Sequence, residues 1–124
     1  MTPDDRRFSL DEANAALDDL RERLPRIREA RHRLIESAEQ IESSAPTNGG
    51  GSDGAAYWDS LRSLRGDIQH FADENIILRD PETGLIDFPA QRDGEEIFLC
   101  WKLGEGDIAF WHDTQTGFSG RKPL

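Results

Sequence analysis

The chain has 124 residues, with 25 acidic side chains against 15 basic ones, a formal net charge of −10 and a pI near 4.7. That length suits one domain with a modest core, and the charge opposes a nucleic-acid backbone as main partner, which needs a basic surface. One cysteine excludes an intramolecular disulfide, no stretch approaches the roughly 20 apolar residues of a membrane span, and the charged start MTPDDRRF lacks a signal-peptide apolar segment, so a cytoplasmic protein is expected.

From the N-terminus, Ser9-Leu10-Asp11-Glu12 forms a capping box, in which the serine hydroxyl accepts from the Glu12 amide and the glutamate reaches back to the Ser9 amide. Phe8 is placed as a hydrophobic staple. Leu10, Ala13, Leu17, Leu20, Leu24, Ile27, Leu34, Ala38 and Ile41 then keep a three-four spacing broken at Arg31, a coiled-coil-like seam. Pro25 removes one helical hydrogen bond and clashes one turn back, so the helix kinks there or a second one begins. The segment SAPTNGGGSDG reads as a flexible linker. Beyond it, a second helix carries Tyr57, Leu61, Leu64, Ile68 and Phe71 on one stripe, with Trp58 beside it. The helices are unequal, about 51 Å and about 30 Å at 1.5 Å per residue. If the shorter one returns along the half after Pro25, the early seam is left to cover a sheet.

Residues 75–79 read as a first strand, turned by Asp80-Pro81-Glu82-Thr83-Gly84. A hairpin of 85–90 with 96–103 follows about Asp93-Gly94, whose central positions both need positive φ. Pairing Arg92 with Glu95 sets Ala90 against Ile97, Phe88 against Leu99 and Asp87 against Cys100. Gly104-Glu105-Gly106 returns the chain as 107–112 with two loop lengths open. Three loop residues put Phe98, Cys100, Phe110 and His112 on the Asp87 face; two put Ala109, Trp111 and Asp113 there. The apolar runs 97–101 and 108–111 mean that both sheet faces need cover. Pro89 donates nothing to a ladder, which implies an edge or a bulge. The expected fold class is α+β: an antiparallel helical hairpin packed on a small antiparallel β-meander of three to four strands. Its expected organisation is one domain over 1–124, with helices over 8–43 (kinked near Pro25) and 55–74, a linker over 44–54, the meander over 75–113 and a tail over 114–124.

In order, the motifs FSLDEANAAL, TGLIDFPAQRDG, LCWKLGE, IAFWH and GFSGR resemble the bacterial and archaeal family catalogued as domain of unknown function 2203. The resemblance runs from about Phe8 to Pro123. It implies a small cytosolic protein of unassigned activity, with Glu12, Asn14, Asp87, Cys100, Trp101, Trp111, His112 and Arg121 as signature positions. The glycine-rich linker looks like an elaboration of the loop between the helices, and Pro25 lies later than the family's usual helix proline.

Each of these residues has an ordinary explanation beside a functional one. Glu12 completes a capping box, and Asn14 would cap or brace a loop. Asp87 sits inside a strand, where aspartate is disfavoured, either as an acceptor for a nearby turn or as a ligand. Cys100 reads as a small buried hydrophobe or a metal ligand. His112, oriented by Asp113, is a structural donor, a metal ligand or a general base, and is the best catalytic candidate. Arg121, after a GFSG segment, either grips an anion or forms a surface ion pair. Glu29 with His32 and Asp67 with His70 have di-iron spacing, but most of these side chains point away from the apolar stripes, which sets that reading aside.

Two functions survive. One is a non-enzymatic, homodimeric interaction or assembly module, offering its seam or aromatic face to a second copy or another protein. The other is a site for a divalent metal or small anion, able to support hydrolysis. Its ligand-binding set is Asp87, Trp101, Trp111, His112, Arg121 and Glu12, and its metal set is His112, Asp87, Asp113 and Cys100.

Overall fold

The computed structural model describes residues 6–44 and 51–124, and side chains over 6–39 and 54–124. The first five residues, the middle of the glycine-rich linker and the Ile41 side chain lie outside the described residues. Two helices, α1 (Leu10–Ser44) and α2 (Gly51–Glu74), precede five strands: β1 (Ile77–Asp80), β2 (Leu85–Arg92), β3 (Glu95–Lys102), β4 (Phe110–Asp113) and β5 (Lys122–Pro123). The strands form one antiparallel sheet in sequence order. The α+β expectation holds, with one strand more than the upper figure: β5 spans two residues, too short to leave an alternating pattern.

The capping box forms as expected. The Ser9 amide donates to Glu12 Oε1 and the Glu12 amide to Ser9 Oγ, each at 3.0 Å. Helix α1 continues through Pro25, so no second helix starts there. Ala13, Leu17, Leu20, Leu24 and Ile27 are buried with Phe71 of α2 against Ile86, Phe88, Leu99 and Trp101 of the sheet. The early seam therefore covers one sheet face. Leu10, expected on that seam, is exposed; Phe8 fills the place instead, its ring edge-on to Phe88 at 5.1 Å.

Helix α2 starts at Gly51, inside the expected linker, and faces inward one residue away from the expected stripe. Ser60, Asp67 and Phe71 are buried while Ile68 is exposed. The reason lies on α1. Asp67 accepts from Arg26 Nε at 2.8 Å, Arg26 Nη2 at 2.7 Å and Arg23 Nη1 at 2.9 Å. Burial of an isoleucine contributes about 1.5–3 kcal/mol. The three bonds offset the desolvation of the Asp67 carboxylate, so the acid can take the inward position while Ile68 forgoes burial. Burial pushes the Asp67 carboxyl up, but the two guanidinium groups more than reverse that and hold it below the usual range.

Asn75, expected to open the first strand, instead closes α2. Its φ of 58° and the Ile76 amide bond to Phe71 O at 2.9 Å make a left-handed cap. In the turn after β1, Gly84 takes φ +76°, and a Cβ there would meet Leu103 Cβ at 2.7 Å. The ladder between β2 and β3 has the expected register, from Arg92↔Glu95 to Asp87↔Cys100. Strand β1 reaches β2 no further than Asp87, so Pro89 stands at a local edge, where its carbonyl accepts from the Phe8 amide at 2.7 Å. Between β3 and β4, Cys100 pairs with Phe110 and Phe98 with His112, the register of the three-residue loop. Strand β4 is shorter than expected because the Ile108 amide leaves the ladder for Asn14 Oδ1 at 2.8 Å.

Candidate functional site

Side-chain alternation sorts the sheet into two faces. Ile86, Phe88, Ile97, Leu99, Trp101 and Trp111 turn toward the helices. Asp87, Phe98, Cys100, Phe110 and His112 turn the other way. This second face is roofed in part by the chain's own C-terminal segment, whose 3₁₀ turn (Phe118–Gly120) leads into β5. The Arg121 guanidinium lies 4.0 Å from the Phe110 ring centre and 4.5 Å from that of Phe118. Some of the cover expected from a second molecule is thus internal.

Beneath this roof Asp87, Cys100 and His112 are each 1% exposed, and one potential ligand atom from each lies within 4.8 Å of the others. They are the one such group of three among the described residues. His112 Nδ1 stands 2.7 Å from the Asp113 carbonyl oxygen. A carbonyl can only accept, so Nδ1 carries a proton and donates. His112 Nε2 stands 2.9 Å from Asp87 Oδ2. With Nδ1 committed, a neutral imidazole would turn a lone pair toward a carboxylate oxygen. Two acceptors this close require a proton or a metal cation between them.

Asp87 Oδ2 also accepts from Arg79 Nε at 2.8 Å, whereas the buried Oδ1 receives no hydrogen bond from a described residue. An orphan buried carboxylate oxygen is expensive, and such atoms often mark a ligand position. Cys100 interacts with both the Asp87 carboxylate and the Arg121 guanidinium. Burial foremost, then the Asp87 charge, push its thiol up to about 12, against a smaller opposing effect from Arg121. A cavity of about 480 Å³ opens onto the group, lined by Arg79, Leu85 and residues 114–118.

Of the other expected site residues, Arg121 reaches Cys100 and the rest lie elsewhere. Asp113 does orient His112, but through its backbone; its carboxylate accepts from the Gln115 and Thr116 amides at 2.9 and 2.8 Å and holds the tail turn. Those bonds keep its carboxyl below the usual range. Glu12 stays in its cap on α1, on the helix side of the sheet. Trp101 is wholly buried there, its indole N–H donating to Gly106 O at 2.7 Å. Trp111 lies between Arg92 and Lys122, 4.8 and 5.1 Å from its ring centre. Arg121 does grip a carboxylate, that of Glu105, through Nη1 at 3.1 Å and Nη2 at 2.7 Å. This pairing holds Glu105 below the usual carboxylate range. The set-aside helical pairs go to separate partners, His32 to Glu82 and His70 to Asp19.

Arg79 and Glu105 were not among the expected site residues. Alternation from the Ile77↔Asp87 pair puts Arg79 on the Asp87 face, but a bulge between Leu78 and Asp80 hides that register from the sequence. Glu105 sits in a loop whose length the sequence left open.

Compared with known proteins, residues 6–124 match the family described as uncharacterized conserved protein (DUF2203). No curated protein and no solved structure matches the chain.

Proposed function

The chain belongs to the uncharacterised DUF2203 family, and we propose that its sheet carries a divalent-metal site with Asp87, Cys100 and His112 as ligands. The supporting observation is the His112 Nε2 to Asp87 Oδ2 approach, with Nδ1 already donating to a carbonyl. This is the arrangement of metal-bound histidines, whose second nitrogen is fixed by a carbonyl or carboxylate. One nitrogen, one sulfur and one carboxylate ligand suit zinc, and three protein ligands leave a coordination position open to the cavity. Water there would become a nucleophile near neutral pH, so hydrolysis is the chemistry such a centre supplies.

Cobalt titration tests this reading. A thiolate-to-cobalt charge-transfer band should appear in the wild-type chain and be missing from Cys100→Ser. The metal must displace a proton from a thiol pushed up to about 12, so the apparent affinity should rise as pH increases from 6 to 8. Cobalt binding with no sulfur band, or unchanged in Cys100→Ser, would exclude the proposed ligand set.

A second reading keeps the dimer, because Ile35 and Trp58 remain 48% and 56% exposed on the two helices. That assembly predicts twice the chain mass in solution, and a strictly monomeric mass removes it.

A further inference from the structure

Arg79 is anchored, yet only part of its hydrogen-bonding capacity is used. Its Nε donates to Asp87 Oδ2 at 2.8 Å and its guanidinium carbon lies 5.1 Å from the Phe98 ring centre. These contacts fix the plane of the group. A guanidinium carries five N–H donors, and the four on the terminal amino groups donate to no described residue. Arg79 also lines the cavity that opens onto Asp87, Cys100 and His112.

Two side chains of fixed charge line that cavity, Arg79 and Asp87. Its remaining lining comprises Leu85, Thr114, Gln115, Thr116, Gly117 and Phe118, so Asp87 is the one acid, and it is already paired with Arg79. Arg121, the next cation, is neutralised by Glu105. Asp113, beside His112, is engaged by the Gln115 and Thr116 amides, and the fork of terminal amino groups on Arg79 thus meets no second carboxylate among the lining residues. Planar, bidentate recognition of carboxylate or phosphate is what such a fork does well.

We propose that this cavity takes a small anionic molecule whose carboxylate or phosphate group sits on the terminal amino groups of Arg79. The inference deepens the metal reading and rests on it for the far end of the molecule, which would meet the open coordination position. A cavity of about 480 Å³ falls within the size range of small-molecule sites.

Calorimetric titration of inorganic phosphate and of acetate into cobalt-loaded protein provides the test. At least one should bind the wild-type chain, and the stronger response identifies the anionic group. At a cobalt concentration that saturates both proteins, so that any change in metal affinity through the Asp87 bond does not enter, Arg79→Gln should weaken that binding at least tenfold. Arg79→Lys, with charge but no fork, should fall between the two. Failure of both anions to bind, or equal binding by Arg79→Gln, overturns the inference. If the wild type takes up no cobalt, the metal reading falls alone. The same titrations on metal-free chain then decide the anion site, which stands if binding depends on Arg79 and falls otherwise.

Discussion

Exchange of His112 for alanine is expected to lower metal affinity by more than about a hundredfold, the upper range for losing a mere supporting residue, and also to destabilise the chain. The two effects have separate origins. The imidazole is 1% exposed and supplies one of two hydrogen-bond partners that Asp87 Oδ2 has among the described residues, the other being Arg79. Its removal leaves a buried carboxylate with one partner fewer and a hole beside Phe98, whose ring centre lies 5.4 Å from that of His112. Breaking a buried pair costs about 3–5 kcal/mol where the charge is left uncompensated, and with Arg79 still on Asp87 the loss falls toward the lower end of that range. His112→Gln separates the roles, because an amide N–H can donate to Asp87 but an amide is a poor zinc ligand. Glutamine should recover part of the stability in denaturant unfolding and none of the metal affinity. Tight metal binding by His112→Gln would remove His112 from the ligand set. An alanine variant as stable as wild type would show that Asp87 does not depend on it.

How far the sequence reveals this arrangement depends on what fixes each step. The contact between Asp87 and Cys100 is legible, because Asp93 at φ 53° and Gly94 at φ 81° form a two-residue turn that sets the whole β2–β3 register. His112 is half legible. The register that brings it to Asp87 depends on whether Gly104-Glu105-Gly106 counts as a three-residue loop. Beside a local bond from the Lys102 amide to Glu105 at 2.7 Å, side chains distant in sequence settle that: Arg121 pairs with Glu105, and Asn14 takes the Ile108 amide. Local turn propensity carries no trace of such contacts. The C-terminal roof was invisible for a related reason, since a single 3₁₀ turn and a two-residue strand have no periodicity to detect. The inward face of α2 eluded hydropathy because its central residue is Asp67, an acid that becomes an interior group only once Arg23 and Arg26 are known to face it.

Trp101→Ala is expected to cost about 3–5 kcal/mol, as large an effect as at His112 but from the opposite face and without a change in metal affinity. The indole is 0% exposed, and its ring is the largest of the wholly buried side chains. It also fastens a loop. Its N–H donates to Gly106 O, which takes a second bond from Arg21 Nη2 at 3.2 Å, and the Arg21 guanidinium lies 5.5 Å from the ring centre. Together with Asn14, these bonds hold residues 106–108 against β3 and α1. Trp101→Phe should therefore cost less, about 1–2 kcal/mol, by giving up one hydrogen bond and some volume while keeping an aromatic core. Equilibrium unfolding of the two variants beside a cobalt titration checks the assignment. If Trp101→Ala unfolds near the wild-type midpoint yet loses cobalt, then the tryptophan serves the site and not the core, and the division of the sheet into a packing face and a ligand face is wrong.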